Sequence, residues 1–348
     1  MKSEGKQMNR EGSMAIPSRG GSTKWIATLL LTGIAVIIPF FISGYQRTLI
    51  QKFLLWTPAT FGVYFLYSLL RQVHFGQSIF IGIGGYIIAF SAGKYAITNE
   101  LTILLPAALV ISIVVAYVLG IFITKRTGFY FAVMGIAVTM VFWSLVYKAR
   151  GITGGSDGIS HISNPSLFTI PLDDLALYYF CLLVSAGMIL VMLRILNSSF
   201  SLQLRAIAGD LEKAESIGIP VNRMQRLAFT IAGANAGVTG ALLAFSYNYV
   251  SPSAFDWGYG ANFVQSAIIG GVNSVVGPIV GAFGFIHLEF FISTWFADLW
   301  EIIIGLTIAI IVLTVGEDGV TGIVQAVFGR IKCKLRKQQE STDKHVKS

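Results

Sequence analysis

Long apolar runs alternate with short polar connections along most of the chain. Each long run is close to the ~20 residues that a helix needs to cross a bilayer. The clear runs lie at about 26–43, 53–70, 79–97, 103–123, 129–147, 176–196 and 225–247. Because backbone groups in lipid must form hydrogen bonds within their own segment, the pattern predicts an all-α bundle of transmembrane helices.

The stretch 260–316 is less regular, with shorter runs near 260–272, 278–296 and 299–315. Glycines and a proline interrupt it at Gly270, Gly271, Gly277 and Pro278. The sequence leaves open whether 260–296 forms one helix, two helices or a broken helix.

The ends of the chain are polar and basic, which constrains the number of crossings. We expect a cytoplasmic tail at 1–24, a transmembrane domain at 25–318 and a basic cytoplasmic tail at 319–348. Two tails on one side require an even number of spans. Ten transmembrane helices are therefore expected, with eight as the alternative.

One charged island interrupts the apolar pattern inside a predicted cytoplasmic loop at 197–224. In the sequence SLQLRAIAGDLEKAESIGIP, apolar residues recur every three or four positions, at Leu204, Ile207, Leu211, Ala214 and Ile217. This spacing predicts an amphipathic helix of two to three turns. Ser201 is its expected N-cap, and Gly218 followed by Pro220 its expected stop. An ordinary interfacial helix and a docking helix for a soluble partner both fit.

Composition supports a membrane protein. The chain has 348 residues, of which 54% are hydrophobic and 12% charged, whereas soluble domains are usually nearer a quarter charged. The net charge of +8 lies mostly in the tails and loops, and so indicates orientation and anionic lipid rather than nucleic acid. The two cysteines, Cys181 and Cys333, suggest neither a disulfide framework nor a metal site.

Basic residues predict the orientation through the positive-inside rule. Arg71 with His74, Lys125 with Arg126, the island from Arg194 to Arg226 and both tails are expected in the cytoplasm, and the loop 150–174 outside. The first outside loop, with Arg47 and Lys52, is a mild exception. The expected location is the bacterial cytoplasmic (inner) membrane, crossed several times.

Small residues predict where helices approach closely. One row in the run after the island contains Gly233, Gly237 and Ala241. The others are Gly277 with Gly281, and a cluster of Gly82, Gly84 and Gly85. These faces fit packing within the chain and packing against a second subunit equally well.

Enzymatic chemistry has little support in the sequence. The pattern G-x-S-x-G at 154–158 resembles a nucleophile elbow, but that motif requires a strand before it and a helix after it. We interpret its glycines as a turn at the membrane edge. No G-x-x-x-x-G-K-[ST] motif occurs, so any ATPase that drives this protein is another polypeptide.

Ionisable residues within apolar runs are candidates for functional contacts. His287 and Glu289 lie two positions apart and face different sides of a helix. For Glu289, a polar contact inside the bundle and an outward-reaching side chain at a helix end are both open. Asp298 and Glu301 are expected near a membrane boundary.

Four stretches resemble the branched-chain amino acid permeases of ATP-binding cassette (ABC) importers. LRAIAGDLEKAESIGI resembles LRAIREDExAAESLGI, with Lys213 in place of an alanine and Ala208-Gly209 in place of Arg-Glu. HFGQSIFIGIGGY resembles SLGHAAFFGIGAY, residues 128–160 resemble GIYFAIxTLAF…TGGxxGL, and GGVNSVVGPIVGA resembles GGxGSxxGPxxGA. The resemblance covers roughly residues 50–325.

The resemblance implies an all-helical permease with the vitamin-B12-type importer fold, which binds no cofactor itself. Its implied partners are two cytoplasmic ATPase subunits, a second homologous permease, and a periplasmic or lipid-anchored substrate-binding protein. It also implies that the island is the coupling helix for the ATPase, through the side chains and backbone of Arg205, Asp210, Glu212, Ala214, Glu215 and Gly218. The residues along the substrate path are unknown from sequence.

The function expected from the resemblance is ATP-driven uptake of leucine, isoleucine and valine by alternating access. An importer of urea or short amides is the alternative within the same family. An ion-coupled secondary transporter is the alternative from another class, and paired intramembrane carboxylates on one face would favour it.

Overall fold

The computed structural model describes residues 44–296 and 299–322, together with Pro39. The predicted tail at 1–24, most of the first apolar run at 26–43, Asp298, and the basic tail beyond residue 322 lie outside the described residues. The first four residues of the predicted C-terminal tail, 319–322, are helical and so belong to the folded part of the chain.

The predicted all-helical character is confirmed, since each apolar run within 44–296 and 299–322 forms a helix. In chain order the helices are α1 (Gly44–Leu70), α2 (Gln77–Ile88), α3 (Leu101–Ile123), α4 (Phe129–Lys148), α5 (Arg150–Thr153), α6 (Asp174–Leu196), α7 (Ser199–Gly209), α8 (Leu211–Ser216), α9 (Val221–Tyr247), α10 (Trp257–Gly270), α11 (Gly277–Trp295) and α12 (Trp300–Val315). A π-helical turn, Ala89–Lys94, extends α2.

Six of the described helices are long and apolar enough to cross a membrane, namely α1, α3, α4, α6, α9 and α11. Helices α2, α10 and α12 are shorter. The chain is therefore a multi-pass membrane protein. Because the first apolar run lies outside the described residues, the total of ten spans, or eight, stays a prediction, as does the vitamin-B12-type fold.

Helix α9 forms the centre of the bundle and packs most extensively against α2, α3 and α1. The membrane-length segments of α1 and α9 are each 83% buried within the chain, whereas that of α4 is only 17% buried. The two central helices are less apolar than α3, α4 and α6, but α11 is the least apolar of the six and is only 39% buried, so hydropathy alone does not separate central from peripheral helices. Side-chain burial therefore distinguishes a central pair of helices from a peripheral α4.

Short strands and turns close the end of the bundle where α9 finishes. The strands are β1 (Ile159–Ser160), β2 (Ser166–Leu167), β3 (Ile170–Pro171) and β4 (Tyr249–Val250). Strand β1 pairs antiparallel with β4, with Ile159 opposite Val250, and β2 forms a hairpin with β3. The predicted outside loop at 150–174 is thus held to the C-terminal end of α9, and the charged island lies at the opposite end.

Two expectations about helix boundaries are decided by the structure. The stretch 260–296 forms two helices, α10 and α11, which pack against each other after a turn at 271–276. Helix α1 begins at Gly44, so Arg47 and Lys52 lie on its first turns. The prediction of a first outside loop that carries these two residues is wrong, because the helix extends nine residues upstream of the apolar run at 53–70.

Candidate coupling surface and interhelical contacts

The charged island folds as two short helices, so the prediction of one continuous helix is wrong. The break is at Asp210, whose backbone is extended (φ −160°, ψ 110°). The backbone N–H of Lys213 donates to Asp210 Oδ1 at 3.1 Å, and Lys213 Nζ lies 2.9 Å from Asp210 Oδ2. An aspartate that caps a new helix competes with continuation of the old one, and the preceding Gly209 adds little helix propensity.

The expected N-cap at Ser201 is also wrong. Helix α7 begins at Ser199, with Ser198 in the N-cap position and no side-chain cap bond. The Ser201 hydroxyl is buried and donates to the carbonyl oxygen of Leu196 at 2.7 Å. Ser201 therefore fastens the start of α7 to the end of α6.

The break at Asp210 also divides the predicted apolar stripe. Leu204, Ile207 and Ala214 are buried, as expected for the inner face. Leu211 and Ile217 are 38% and 74% exposed. The second helix is turned so that these two apolar side chains point away from the bundle.

The exposed residues around α8 form what we call the coupling surface: Leu211, Glu212, Glu215, Ile217 and Gly218. It combines two apolar side chains with two carboxylates at the end of the bundle, and the exposed Lys213 and Ser216 lie between them in the sequence. Such a mixture fits a protein partner better than a lipid headgroup region, where basic residues dominate the polar side of an interfacial helix. The buried Ala214 is the residue on which α8 rests.

Gly218 ends α8 in a Schellman motif. Its φ is +85°, and the N–H of Ile219 donates to the Ala214 carbonyl at 3.1 Å while the N–H of Gly218 donates to the Glu215 carbonyl at 2.9 Å. A side chain at position 218 would meet nothing within 4 Å. Glycine is therefore needed for its left-handed backbone rather than for space.

Arg205 lies apart from the coupling surface. It is half-buried on α7, within electrostatic reach of Tyr64 on α1. Helix α7 packs on α1, and α8 contacts the start of α9. The island is thereby connected to the two most buried helices of the bundle.

The hydrogen bond and charge of Lys213 hold the pKa of the Asp210 carboxyl below its ordinary value. The same contact raises the pKa of Lys213. Asp210 is therefore ionised, and able to cap α8, throughout the neutral range.

The small residues on α9 lie where α2 and α3 approach it. A Cβ on Gly84 would overlap the carbonyl of Gly237, and a Cβ on Gly237 would overlap the hydroxyl of Ser112 on α3. A Cβ on Gly233 would lie 2.8 Å from the Cβ of Ala116. Gly240, which the sequence analysis did not single out, meets the backbone of Ile81 in the same way. These contacts lie within the chain.

The remaining predicted packing glycines have different neighbours. Gly82 leaves room for the ring of Phe255, and Gly85 faces the side chain of Val250. Gly277 and Gly281 approach the backbone of α10, at Gly271 and Ser266 respectively. The glycine row at the start of α11 thus permits the close α10–α11 pair.

Polar contacts join helices inside the bundle. Glu289 forms an ion pair with Lys52 at 2.9 Å, so the structure favours an interhelical contact over an outward-reaching side chain. His287 instead bonds through Nδ1 to the Phe283 carbonyl on its own helix, at 2.9 Å. Glu301 is the second residue of α12, near a helix end as expected.

Two amides inside the bundle were missed by sequence reasoning. Asn235 donates to the Pro58 carbonyl at 2.6 Å, and Gln77 donates to the carbonyls of Ala59 and Ala232, each at 3.3 Å. These bonds connect α1, α2 and α9 where the helices come closest. An amide inside an otherwise apolar run is the signal that points to such a site.

The G-x-S-x-G segment is a turn. Gly154, Gly155 and Gly158 have φ values of +82°, +59° and +68°. The hydroxyl of Ser156 is exposed and donates to Asp157 Oδ1 at 3.1 Å. The glycines supply left-handed backbone, and Ser156 has the geometry of a polar turn residue.

Comparison with known proteins places the chain among transport proteins. A family model described as "Branched-chain amino acid transport system / permease component" matches residues 47–312. The high-affinity branched-chain amino acid transport system permease protein LivM of Salmonella typhimurium is 26% identical in an alignment 293 positions long, which covers 77% of this chain and 68% of that protein. The corresponding LivM of Escherichia coli is 25% identical in an alignment of the same length, with the same coverage.

Shorter matches involve other permeases. The high-affinity branched-chain amino acid transport system permease protein LivH of Escherichia coli is 30% identical over 118 residues, which are 34% of this chain and 38% of that protein. No solved structure matches the chain. Because the family model covers most of the described helices, the chain belongs to the family of branched-chain amino acid transport system permease components.

Proposed function

We propose that the chain is the permease subunit of an ABC importer that moves branched-chain amino acids across the bacterial inner membrane. The observation that carries this proposal is the coupling surface, which presents Leu211, Glu212, Glu215 and Ile217 at one end of a bundle of this permease family. An exposed, capped helix that contacts α9 directly, and α1 through α7, has the geometry of a docking element. ATP is bound and hydrolysed by separate subunits.

The mechanism is alternating access. ATP binding closes a pair of cytoplasmic ATPase subunits, and the docked α8 moves with them. Because α7 packs on α1 and α8 contacts α9, the movement is passed to the two most buried helices. Docking of the ATPase subunits shifts the equilibrium between outward- and inward-open permease only by the difference in their affinity for these two states.

The proposed assembly contains a second, homologous permease, two ATPase subunits and a substrate-binding protein on the outer side. LivM and LivH are both permease proteins of branched-chain amino acid transport systems, and both resemble this chain, which supports a permease pair. Both termini are proposed to be cytoplasmic, with the island on the same side.

Uptake of urea or a short amide is the second candidate within the family. An ion-coupled secondary transporter has less support, because the intramembrane Glu289 is paired with Lys52 rather than with another carboxylate. The names of the relatives favour amino acids over urea.

Deletion of the gene, followed by measurement of radiolabelled leucine and urea uptake at micromolar concentration, tests the proposal. Loss of ATP-dependent leucine uptake, restored by the cloned gene, is the expected result. Unchanged leucine uptake with lost urea uptake would replace the amino acid by urea as the substrate. Uptake that persists after ATP depletion but collapses with the ion gradient would favour the secondary transporter.

A further inference from the structure

The elbow between α1 and α2, residues 71–76, holds a histidine in an unusual position. His74 is 0% exposed. Its ring centre lies 4.7 Å from that of Phe229, 5.5 Å from that of Phe131 and 6.4 Å from that of Phe80. The imidazole is thus surrounded by three phenyl rings from α9, α4 and α2.

The polar edge of this ring faces the seam where the elbow meets α4. A Cβ on Gly135 would lie 3.3 Å from His74 Nδ1, and a Cβ on Gly76 would lie 3.1 Å from His74 Nε2. The ring is in weak hydrogen-bond contact with the backbone of Gly76, and no described residue bonds to either nitrogen with good geometry. Two glycines therefore leave the nitrogen-bearing edge uncovered by any side chain.

A buried polar ring with so few partners requires an explanation, because incomplete hydrogen bonding of a buried polar group destabilises the folded state. Phenylalanine would fill a site among three aromatic rings without that cost. Burial lowers the pKa of His74 to about 3, so the ring is neutral at physiological pH. A neutral imidazole offers one N–H donor and one acceptor nitrogen.

Helix α4 covers this edge and is the least buried of the membrane-length helices described. Its buried residues are Phe131, Ala132, Gly135 and Thr139, and the helix packs most extensively against the turn at Pro252–Phe255. Farther along, Phe142 stacks on Phe255 with ring centres 6.1 Å apart.

We propose that the seam between the elbow and α4 is a substrate-binding point on the transport path, where His74 binds the zwitterionic head group of an amino acid once α4 moves away. The inference rests on the proposed function. The N–H of the imidazole donates to the substrate carboxylate, and the ring keeps its contact with the backbone of Gly76. Phe80, Phe131 and Phe229 supply the apolar wall for a leucine, isoleucine or valine side chain.

The position of the elbow connects this site to the coupling surface. The elbow follows the last turn of α1 directly, and α7 of the island packs on α1. Movement of the island is thereby passed to the residue that faces α4. A neutral, dipolar edge beside an apolar wall also favours an amphipathic amino acid over urea, which has no apolar side chain to bury.

The decisive variant is His74→Phe, because it separates a binding role from a packing role. If His74 only fills the core, replacing its poorly bonded imidazole by a phenyl ring leaves transport unchanged and thermal stability equal or higher. If His74 binds substrate, the complete transporter in proteoliposomes keeps its assembly and stability, but leucine uptake at sub-saturating concentration falls at least tenfold through a raised KM. Wild-type KM and Vmax in His74→Phe would overturn the assignment.

Tyr86→Phe is the matched control. Tyr86 is 5% exposed on α2, and its hydroxyl lacks a partner among the described residues. Removal of this orphan polar atom away from the seam should leave leucine uptake at the wild-type level. A tenfold loss in Tyr86→Phe as well would indicate a general effect of core polarity and overturn the specific role of His74.

A second measurement does not depend on the activity of the phenylalanine variant. In a background without native cysteines, His74→Cys in the complete transporter is treated with a small thiol reagent during ATP turnover. We expect leucine to slow the labelling of this cysteine and urea to leave its rate unchanged. Absence of labelling under all conditions, or labelling that leucine does not affect, would overturn the proposal.

Uptake by the wild-type transporter in the same vesicles distinguishes a failure of the His74 assignment from a failure of the proposed function. If wild-type transporter takes up leucine and His74 variants behave as wild type, only the role of His74 fails. If the wild-type transporter takes up no leucine, the proposed function and the inference that rests on it both fail.

Discussion

Lys52 on α1 and Glu289 on α11 form an ion pair across the helix interface, with Nζ and Oε2 2.9 Å apart. Their side chains are 23% and 22% exposed, so the pair is largely removed from solvent. Lys52 Nζ also lies 5.2 Å from the centre of the Trp56 ring. The contact holds α11 against a central helix at a depth where a single charge is costly.

Removal of one member of this pair should destabilise the protein more than removal of both. Glu289→Gln leaves Lys52 without its counter-charge, and we expect a loss of about 2 kcal/mol, below the ~3–5 kcal/mol of fully buried pairs because this one is partly exposed. Lys52→Met with Glu289→Leu should recover most of that loss, as should the exchange Lys52→Glu with Glu289→Lys. Thermal unfolding in detergent measures the stability of each variant relative to wild type. Equal destabilisation by the single and double variants would show that the pair contributes little.

The coupling surface should be required for ATPase association and not for membrane insertion. Gly218→Pro cannot adopt the φ of +85° at the end of α8, and Glu212→Lys reverses a charge that faces the partner. Both variants should reach the membrane at wild-type level and co-purify less ATPase. Asn222→Lys, an exposed position on the first turn of α9, is the control for added positive charge. Normal ATPase recovery with both surface variants would remove the docking assignment.

Asp210 should act as a helix cap that is charged at neutral pH and loses its charge only at acid pH. Its folded-state pKa is depressed, so its contribution is present above the unfolded value of about 4 and is lost as the pH falls through the folded value. ATPase association should therefore be insensitive to Asp210 titration between pH 6 and pH 8, and Asp210→Ala should weaken it. Asp210→Ser, which also caps helices, should restore it. Identical behaviour of the alanine and serine variants would argue against capping.

Gly84 should be intolerant of any side chain, because its Cα faces the backbone of Gly237. Gly84→Ala forces α2 and α9 apart, and overpacking of this kind costs about 1–3 kcal/mol. The matched control is Gly187→Ala on α6, where a Cβ meets nothing within 4 Å. The yield of folded protein in size-exclusion chromatography should fall for the first and stay constant for the second. A stable Gly84→Ala variant would contradict the close approach.

Topology can be tested with the two ends of the bundle. Ser156 and Ser216 are both exposed, so each should accept a cysteine without loss of fold in a background that lacks Cys181 and Cys333. An impermeant thiol reagent on intact cells should label the cysteine at position 156 and spare the one at position 216. The opposite result would reverse the orientation, and labelling of both would contradict the predicted number of crossings.

The hydrophobic pattern by itself determined the helices and their class. Segments such as 103–123 and 129–147 differ by only a few residues from α3 and α4, because the requirement for internal backbone hydrogen bonding in lipid leaves a helix as the single local solution. Gly218 likewise fixed the end of α8, since only a left-handed backbone completes the Schellman motif. The motifs of the island and of the glycine turns were sufficient to indicate the family.

Only the tertiary structure decided which apolar helices are buried at the centre of the bundle and which are exposed at its periphery, because lipid and protein are equally apolar neighbours for leucine or valine. It also decided that Asp210 breaks the island and so turns Leu211 and Ile217 outward, since a cap bond three residues along competes with one more helical turn. The partners of Lys52 and the surroundings of His74 come from segments far apart in the chain. The spacing of apolar residues along the sequence shows which residues share a helix face. Contacts between faces of different helices arise only when the helices pack.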